Sequence, residues 1–134
     1  MAVQKELFQY ILDASSLINI ERHEKVNLLK KRKGSVIIPE KVAYEVAYHP
    51  LIPSDSLLRK FVRKYPELVV QFQNNEEEEY LRIRSQVGIH DADAAAIAVA
   101  IKRRLSLVID DKKAKEKAKN HGVNTLSWHD FIGG

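Results

Sequence analysis

The sequence predicts an α/β fold in three layers, with a central, mostly parallel sheet covered by helices on both faces. The main observation is that short β-rich apolar runs alternate along the chain with segments of helical periodicity. Strands that alternate with helices are typical of parallel sheets, whose faces the helices cover. A length of 134 residues with 45% hydrophobic residues fits one compact domain with its own core, which we expect to span residues 1–134.

Each element follows from a local pattern. The strand patterns, in order, are LFQYILD (7–13), SVIIP (35–39), the weaker ELVVQF (67–72), LSLVIDD (105–111) and the marginal VNTLS (123–127). The helical patterns run over residues 16 to about 33, 39–48, 56–65, 76–87, 93–104 and 112–121. Gly34 and Gly122 stand where the end of a helix favours a left-handed residue. Pro39 suits a first helical turn.

Composition excludes several classes of protein and site. No apolar run approaches the length of a membrane span, and the start, MAVQKELFQYILD, lacks the order of a signal peptide, so we expect a soluble, cytoplasmic protein without membrane contact. The absence of cysteine excludes disulfides, thiolate zinc sites and a cysteine nucleophile. Any metal must therefore be held by oxygen or imidazole, which favours Mg²⁺ or Mn²⁺. A net charge of +4 permits an anionic partner.

Acidic residues stand at the ends of two predicted strands and near the starts of two predicted helices. Asp13 ends the first strand, and Asp110 with Asp111 ends LSLVI. Ligands of parallel sheets bind outside the carboxyl ends of the strands, where these residues would meet. Glu45 lies about two turns into one helix, and Asp93 opens another. Two carboxylates about 4 Å apart repel by about 4 kcal/mol at an effective dielectric near 20, so their convergence implies a divalent cation.

Each of these acids also has a structural explanation. Asp13, before the residues ASS, could cap the next helix. Glu45 follows Lys41 by four residues and could form an exposed helical pair. Asp110 and Asp111 could supply an N-cap and an acid that compensates the helix dipole. The four positions taken together favour a site.

Asp91 and Asp93 stand close together in the segment GIHDADAAAIAVA (88–100) and need different roles. Residues two apart on a helix point to different faces, so both cannot serve one site from within the helix. We expect Asp91 to be the N-cap and Asp93 to lie in the first turn as the site acid. The small and apolar residues that follow would bring this helix close to the sheet.

Four motifs resemble those of the PIN-domain nucleases, and in particular the VapC-like toxins and their close relatives. YILDASSLINI resembles the opening strand with its Asp-x-Ser/Asn-x-Leu motif, and VIIPEKVAYEV is similar to the strand, proline and helix that carry the second acid. DAAAIAVA resembles the third motif, and LSLVIDDKKAKEKAKNHGV the fourth acid with its trailing helix. The resemblance covers nearly the whole chain, with the motifs in the family's order.

The resemblance implies a PIN-like fold and an acidic tetrad of Asp13, Glu45, Asp93 and Asp111, with Ser15 as the polar companion of the first acid. The interval from Asp93 to Asp111, 111 − 93 = 18 positions, agrees with the family spacing and favours Asp93 over Asp91. Ile109 replaces the threonine that many of the toxins have there. Asp110 adds an acid, which leaves the fourth position open between Asp110 and Asp111. The resemblance also implies metal-dependent RNA cleavage, dimerisation and, for the toxins, a cognate antitoxin.

The chemistry that these residues fit is phosphodiester hydrolysis, and the resemblance implies that the substrate is RNA, which we expect to be single-stranded. Hard cations held by carboxylates can activate water and stabilise the phosphate and the leaving alkoxide. We assign Asp13, Asp93 and Asp111 to Mg²⁺ or Mn²⁺, and expect Glu45 to be a ligand or to orient the water. Ser15 would bond a ligand or a phosphate.

The substrate also needs cations near the acids. The candidates are KKRK (30–33), Arg59, Lys60, Arg63, Lys64, the Arg103–Arg104 pair, Lys112, Lys113 and Lys115, each of which could instead belong to a solvated face. Lys112 and Lys113 are our substrate-binding candidates. His90 is interpreted as a loop residue. Core or interface positions are favoured over base stacking for the aromatic residues Tyr44, Tyr48, Phe61 and Trp128.

Three other functions fit parts of the pattern. A receiver domain needs an acidic pair on the first strand, whereas here the pair follows a late one. A haloacid-dehalogenase-type phosphatase needs an aspartate two residues after the first, where this chain has Ser15. A non-catalytic PIN domain that binds RNA or a partner protein within an assembly is the strongest alternative, and the intact acidic set argues against it.

Overall fold

The computed structural model describes residues 9–133 and confirms the predicted α/β architecture, a five-stranded parallel sheet flanked by helices. The strands are β1 (Tyr10–Leu12), β2 (Val36–Pro39), β3 (Val69–Val70), β4 (Ser106–Val108) and β5 (Thr125–Leu126). They lie in the order β3-β2-β1-β4-β5. The weaker and marginal strand patterns gave the two edge strands, which have only two residues each. Residues 7 and 8 of the predicted first strand lie outside the described residues.

Eight helices connect the strands within the described part of the chain. They are α1 (Ala14–Arg22), α2 (Val26–Lys31), α3 (Glu40–Tyr48), α4 (Leu57–Lys64), α5 (Glu76–Arg84), α6 (Asp91–Arg103), α7 (Lys112–Asn120) and α8 (Trp128–Gly133). Short 3-10 helices cover Lys33–Ser35 and Pro66–Leu68. Among these residues, no helix is long and apolar enough to cross a membrane.

The predicted helix over residues 16–33 is two helices, because the chain turns at Glu24. This residue has a left-handed backbone with φ of 58°. The Lys25 amide then donates back to the Ile20 carbonyl at 2.9 Å, which closes α1 before α2 begins. The break lets both helices bury apolar residues, including Ile20 and Leu29.

Three smaller predictions concern the ends of helices, and the structure agrees with them only in part. Gly122 has the expected positive φ, 81°, after α7. Gly34 instead lies within a 3-10 helix. Pro39 ends β2 and precedes the first turn of α3. Helix α8 was not predicted, because six residues are too few to show helical periodicity.

The parallel register brings two acidic segments together at the carboxyl edge of the sheet. Tyr10 in β1 is aligned with Val36 in β2 and with Ser106 in β4. The chain continues this pairing past the strands, because the Asp13 amide donates to the Val108 carbonyl at 3.2 Å. Asp13 and the residues after Val108 therefore lie side by side, as the sequence predicted.

Helix α6 is the central buried helix of the fold. Every residue from Ala92 to Ala100 is buried, and the helix contacts β1, β2 and β4 as well as α3 and α5. Alanine side chains allow the helix axis to approach the sheet closely. This packing fixes the position of Asp93 relative to the ends of the central strands.

His90, and not Asp91, is the N-cap of α6, so our prediction for Asp91 is wrong. The backbone of His90 is extended, and α6 begins at Asp91 itself. The Asp91 carboxylate accepts a hydrogen bond from the Tyr80 hydroxyl and pairs with Arg84 at 2.9 Å and with Lys41 at 3.7 Å. Tyr80 and Arg84 belong to α5 and Lys41 belongs to α3, so Asp91 connects α5 and α3 to the start of α6.

We expect Asp91→Ala to lower the free energy of unfolding by about 1–2 kcal/mol, because it removes a charge-assisted hydrogen bond and two exposed ion pairs. Tyr80→Phe should have a smaller effect in the same direction. The measurement is urea denaturation, with Asp55→Ala in the exposed loop before α4 as the control. Equal stability of Asp91→Ala and the wild type would show that this carboxylate does not hold the helices together.

Candidate functional site

Asp13 lies at the centre of the carboxyl edge, directly after β1, and is fully buried. Its Oδ1 accepts the Ser16 amide at 2.9 Å, which makes it the N-cap of α1. Its Oδ2 accepts the Ser15 hydroxyl at 2.8 Å. The capping explanation is therefore correct for this residue. Capping does not explain why a second carboxylate lies near Asp13.

That second carboxylate is Asp93, which lies in the first turn of α6 with 7% of its surface exposed. The charge of Asp93 raises the pKa of Asp13, so the two carboxyl groups lie within electrostatic range of each other. None of the ion pairs within residues 9–133 involves either residue. The site is thus a buried acidic pair without a basic side chain to neutralise it.

Burial and mutual repulsion keep these acids from ionising at their ordinary pH. The pKa of Asp13 is raised to about 7, chiefly by burial and also by the Asp93 charge, while hydrogen bonds from Ser15 and Ser16 lower it in part. The pKa of Asp93 is raised to about 6, again chiefly by burial. The negative charges of Asp111 and Glu45 add to that second shift, so all four acids of the predicted set interact.

The two acids after β4 have different environments. Asp110 accepts the Ser16 hydroxyl at 3.0 Å and the Trp128 amide at 3.3 Å, so its carboxylate joins α1 to α8. Asp111 is the N-cap of α7, where Oδ1 accepts the Ala114 amide at 3.0 Å. It is the Asp111 charge that acts on Asp93. Hydrogen bonding therefore occupies Asp110 with structural partners and leaves one oxygen of Asp111 outside its cap bond.

The donor set suits a hard divalent cation. The oxygens come from buried carboxylates that form no ion pair with a basic side chain of residues 9–133, and oxygen is the donor that Mg²⁺ and Mn²⁺ prefer. Within residues 9–133, no three acidic or histidine side chains already stand in a metal-binding arrangement. Asp13 and Asp93 are buried and interact electrostatically, whereas Glu45, whose charge also acts on Asp93, is exposed on α3. The oxygen donors and the negative charge of these residues fit a divalent cation, and Asp13 and Asp93 form the centre of the candidate site.

Several basic residues proposed as substrate contacts have structural partners. Arg103 pairs with the buried Glu76 at 2.8 Å, and Arg59 donates to the carbonyls of Val46 and His49. Lys112 and Lys113 are exposed at the start of α7, next to Asp111. The second of these reaches over the loop before α6, because a Cβ on Gly88 would come within 3.1 Å of its Nζ.

Sequence reasoning missed Ser16 as a component of this region. It is fully buried, and its hydroxyl lies 2.9 Å from the Val108 carbonyl and 3.0 Å from Asp110. Ser15 completes the link, since its oxygen accepts the Asp110 amide at 3.2 Å. The sequence does show two adjacent serines, Ser15 and Ser16, shortly after Asp13. Their separate roles depend on the β1–β4 pairing, which local sequence does not specify.

We expect Asp93→Asn to raise the free energy of unfolding by about 1–3 kcal/mol at about pH 8 and much less at about pH 5. Because the folded-state pKa values of Asp13 and Asp93 lie above the ordinary 3.8, their protonated forms favour folding, and this contribution is lost as pH rises through about 6 to 7. The amide removes one of the two repelling charges.

The measurement is the melting temperature in EDTA at both pH values, with Asp55→Asn in the exposed loop as the control. A stability gain of equal size at both pH values, or a loss at the higher one, would contradict the repulsion between Asp13 and Asp93.

The fold agrees with comparisons to known proteins. Among solved structures, the chain is similar to PAE2754 from Pyrobaculum aerophilum, with a TM-score of 0.67 at 19% identity over 95% of this chain and 96% of that chain. It is also similar to FitAcB from Neisseria gonorrhoeae, with a TM-score of 0.59 at 16% identity and coverage of 90% and 98%. VapBC2 from Rickettsia felis, bound to a DNA fragment from its promoter, gives 0.60 at 14% identity with coverage of 90% and 99%.

No curated protein matches the chain significantly. At these identities the solved structures establish the fold alone, which is that of the FitB and VapC PIN toxins. A family model described as a PIN domain, DUF3368, matches residues 9–127. Because that match covers most of the sequence, the chain belongs to the PIN-domain family.

Proposed function

We propose that this protein is a divalent-metal-dependent endoribonuclease that hydrolyses phosphodiester bonds of single-stranded RNA. The observation that carries the proposal is the pair of buried, interacting carboxyl groups of Asp13 and Asp93, to which no basic side chain within residues 9–133 is paired. Such a pair is costly in a folded protein unless a cation neutralises it. PIN domains are typically metal-dependent nucleases, which is the chemistry that this arrangement suits.

Each acid has a proposed role that follows from its position. Asp13, Asp93 and Asp111 are the ligands of Mg²⁺ or Mn²⁺, and the exposed Glu45 is a further ligand or orients the attacking water. When bound, the cation lowers the pKa of water and stabilises charge on the phosphate and the leaving oxygen. Ser15 holds the Asp13 carboxylate in place through its 2.8 Å hydrogen bond.

The substrate phosphates need positive charge beside this acidic edge. Lys112 and Lys113 are exposed one and two residues after Asp111, and we propose that they contact the RNA backbone. The start of a helix also favours anions, so α7 contributes in the same direction. Binding through these lysines makes the affinity fall with salt concentration.

The proposed biological setting follows from the similar structures. The FitAB and VapBC2 structures are of toxin–antitoxin complexes bound to DNA fragments. We therefore propose that this chain is the toxin of such a pair, that it acts in the cytoplasm as a homodimer, and that a cognate antitoxin neutralises it. The proposed nuclease is one domain spanning residues 1–134.

Purified protein should cleave single-stranded RNA with Mg²⁺ or Mn²⁺ and stop when EDTA is added. Asp93→Asn should lower the cleavage rate by about 100-fold or more, because an amide is a poorer ligand for a hard cation. Asp91→Asn, two residues earlier, should keep most of the activity. The assay is cleavage of a fluorescent oligonucleotide. Cleavage that persists in EDTA would disprove the mechanism, and no cleavage under any condition would favour a non-catalytic PIN domain.

A second pair of variants separates Asp110 from Asp111. Asparagine is as good an N-cap as aspartate, so Asp111→Asn should leave the melting temperature nearly unchanged while cleavage falls by about 100-fold. Asp110→Asn should lower the melting temperature, because it weakens the bonds to Ser16 and Trp128, and should retain cleavage. Loss of cleavage in Asp110→Asn but not in Asp111→Asn would show that Asp110 is the fourth acid of the set.

A further inference from the structure

The exposed basic side chains of α2, of α4 and of the 3-10 helix before β2 lie on one surface of the protein. Helix α2 packs against α4. The Nζ atoms of Lys33 and Lys64 lie 5.3 Å and 5.8 Å from the centre of the same ring, that of Tyr65. Lys60 lies one turn before Lys64 on α4 and shares its face. We call this the α2–α4 basic surface, and its exposed residues are Lys30, Lys31, Lys33, Lys60, Arg63 and Lys64.

Neighbouring acids do not cancel the positive charge of this surface. Residues 26–35 and 57–64 contain no acidic residue. The longer segments 21–35 and 55–67, which include the acids on either side, hold ten basic and four acidic residues, a net charge of 10 − 4 = +6. Because the whole chain has a net charge of +4, the rest of it carries 4 − 6 = −2. This part of the chain therefore holds more net positive charge than the protein as a whole.

The side chains of the α2–α4 basic surface also differ from other basic residues in having no ion pair with any acid of the described chain. On α3, α5 and α6, every basic side chain is paired with an acid, namely Lys41, Arg82, Arg84, Lys102 and Arg103. Charges of both signs are enough to keep a surface soluble. Basic residues gathered on one face are instead typical of proteins that bind nucleic acids.

The α2–α4 basic surface presents charge and not aromatic rings. Tyr65 is only partly exposed, because its ring is contacted by two lysines of the surface and packs on Phe61 at 5.2 Å. Phe61 is buried, as we expected. The exposed tyrosines are on α3, where Tyr44 is 68% exposed and Tyr48 70% exposed, so a core position is wrong for both. Cations without an available ring bind phosphates and do not read bases.

The composition of the surface favours a nucleic-acid backbone over a membrane or a protein partner. Within residues 26–35 and 57–64, the only exposed large apolar side chain is Leu57, at the start of α4. Helices that bind membranes insert apolar residues, and the cores of protein interfaces are rich in aromatic residues and depleted of lysine. A phosphate backbone, in contrast, needs only the positive charge.

The structure separates this surface from the acidic edge. The 3-10 helix that carries Lys33 leads directly into β2, whose first residue is aligned with Tyr10, the first residue of β1. Asp13 follows the other end of β1. The three residues of β1 span about 10 Å, so Lys33 lies at least about that far from Asp13 along the strand direction. A ligand that occupies both places must be an extended polyanion.

We propose that the α2–α4 basic surface is a second contact surface for RNA, which binds phosphates of the strand whose scissile bond lies at the acidic edge. This inference rests on the proposed function, since RNA is the polyanion that the acidic edge would cleave. It adds that the substrate is an RNA of more than a few nucleotides, held by its backbone independently of base sequence. Lys112 and Lys113 would contact the same backbone at the acidic edge itself.

The test is equilibrium binding of a fluorescent RNA of about 20 nucleotides, measured by anisotropy in EDTA and in an Asp93→Asn background so that cleavage does not interfere. Combined Lys33→Gln, Lys60→Gln and Lys64→Gln substitutions should weaken binding by about 10- to 100-fold at low salt. The slope of log affinity against log salt concentration should fall by about 2, which is about 0.7 for each lost phosphate contact. Arginine at the three positions keeps the charge and should keep both the affinity and the slope.

The matched control removes three exposed positive charges from other parts of the chain, through Arg82→Gln, Lys102→Gln and Lys119→Gln. This variant should bind the RNA normally. Melting temperatures of both triple variants show whether each is folded. In the cleavage assay, the variant of the basic surface should raise KM for the long RNA and leave kcat unchanged, because the lost contacts hold substrate and transition state equally. A dinucleotide has one phosphodiester bond and cannot occupy both places, so its cleavage should not change.

Unchanged RNA binding by the folded variant of the basic surface, or an equal loss in the matched control, would overturn the proposal. So would a loss of affinity for duplex DNA or for phosphatidylserine vesicles without a loss for RNA, which would assign the surface to that other ligand. Binding of RNA that depends on these lysines, by a wild type that cleaves no RNA, would support the surface and reject the proposed nuclease activity alone.

Discussion

The electrostatic interaction between the buried carboxyl groups of Asp13 and Asp93 is the constraint on which the rest of the site depends. Burial disfavours the charge on each, and each charge disfavours the other, so the pKa of Asp13 rises to about 7 and that of Asp93 to about 6. Ser15 and Ser16 offset part of this cost by donating to Asp13. A fold without a ligand gains nothing from such repulsion. The arrangement is explained if a cation occupies the pair during function.

The scaffold brings the two carboxylates together by two separate devices. The β1–β4 pairing continues through the Asp13 amide, which fixes the first acid on the central strand. The alanine-rich α6 lies against the sheet with residues from Ala92 to Ala100 buried, which brings the second acid from a distant part of the chain. Around them, Asp91 and Asp110 serve as structural acids that connect neighbouring elements. These acids are the same residue type as the proposed ligands and differ from them only in where they lie and in what they bind.

Periodicity and strand alternation predicted the architecture because parallel sheets leave a strong apolar pattern in the sequence. They also placed Asp13 and the acids after β4 at one edge, which the register confirms. The identity of the α6 cap was not predictable, because Asp91 is drawn to Tyr80 and Arg84, partners defined only by the packing of α5 on α6. The exposure of Tyr44 could not be predicted either, because an amphipathic pattern does not show which aromatic residues stay outside the core.

The most direct test of the central claim is the location of a bound cation. A crystal soaked in Mn²⁺ and measured at the manganese absorption edge should show an anomalous peak about 2.0–2.6 Å from carboxylate oxygens of both Asp13 and Asp93. This peak should disappear in Asp93→Asn crystals treated in the same way. A soaked wild-type crystal with no peak at the pair, or with its strongest peak at the acidic start of α5, would contradict it.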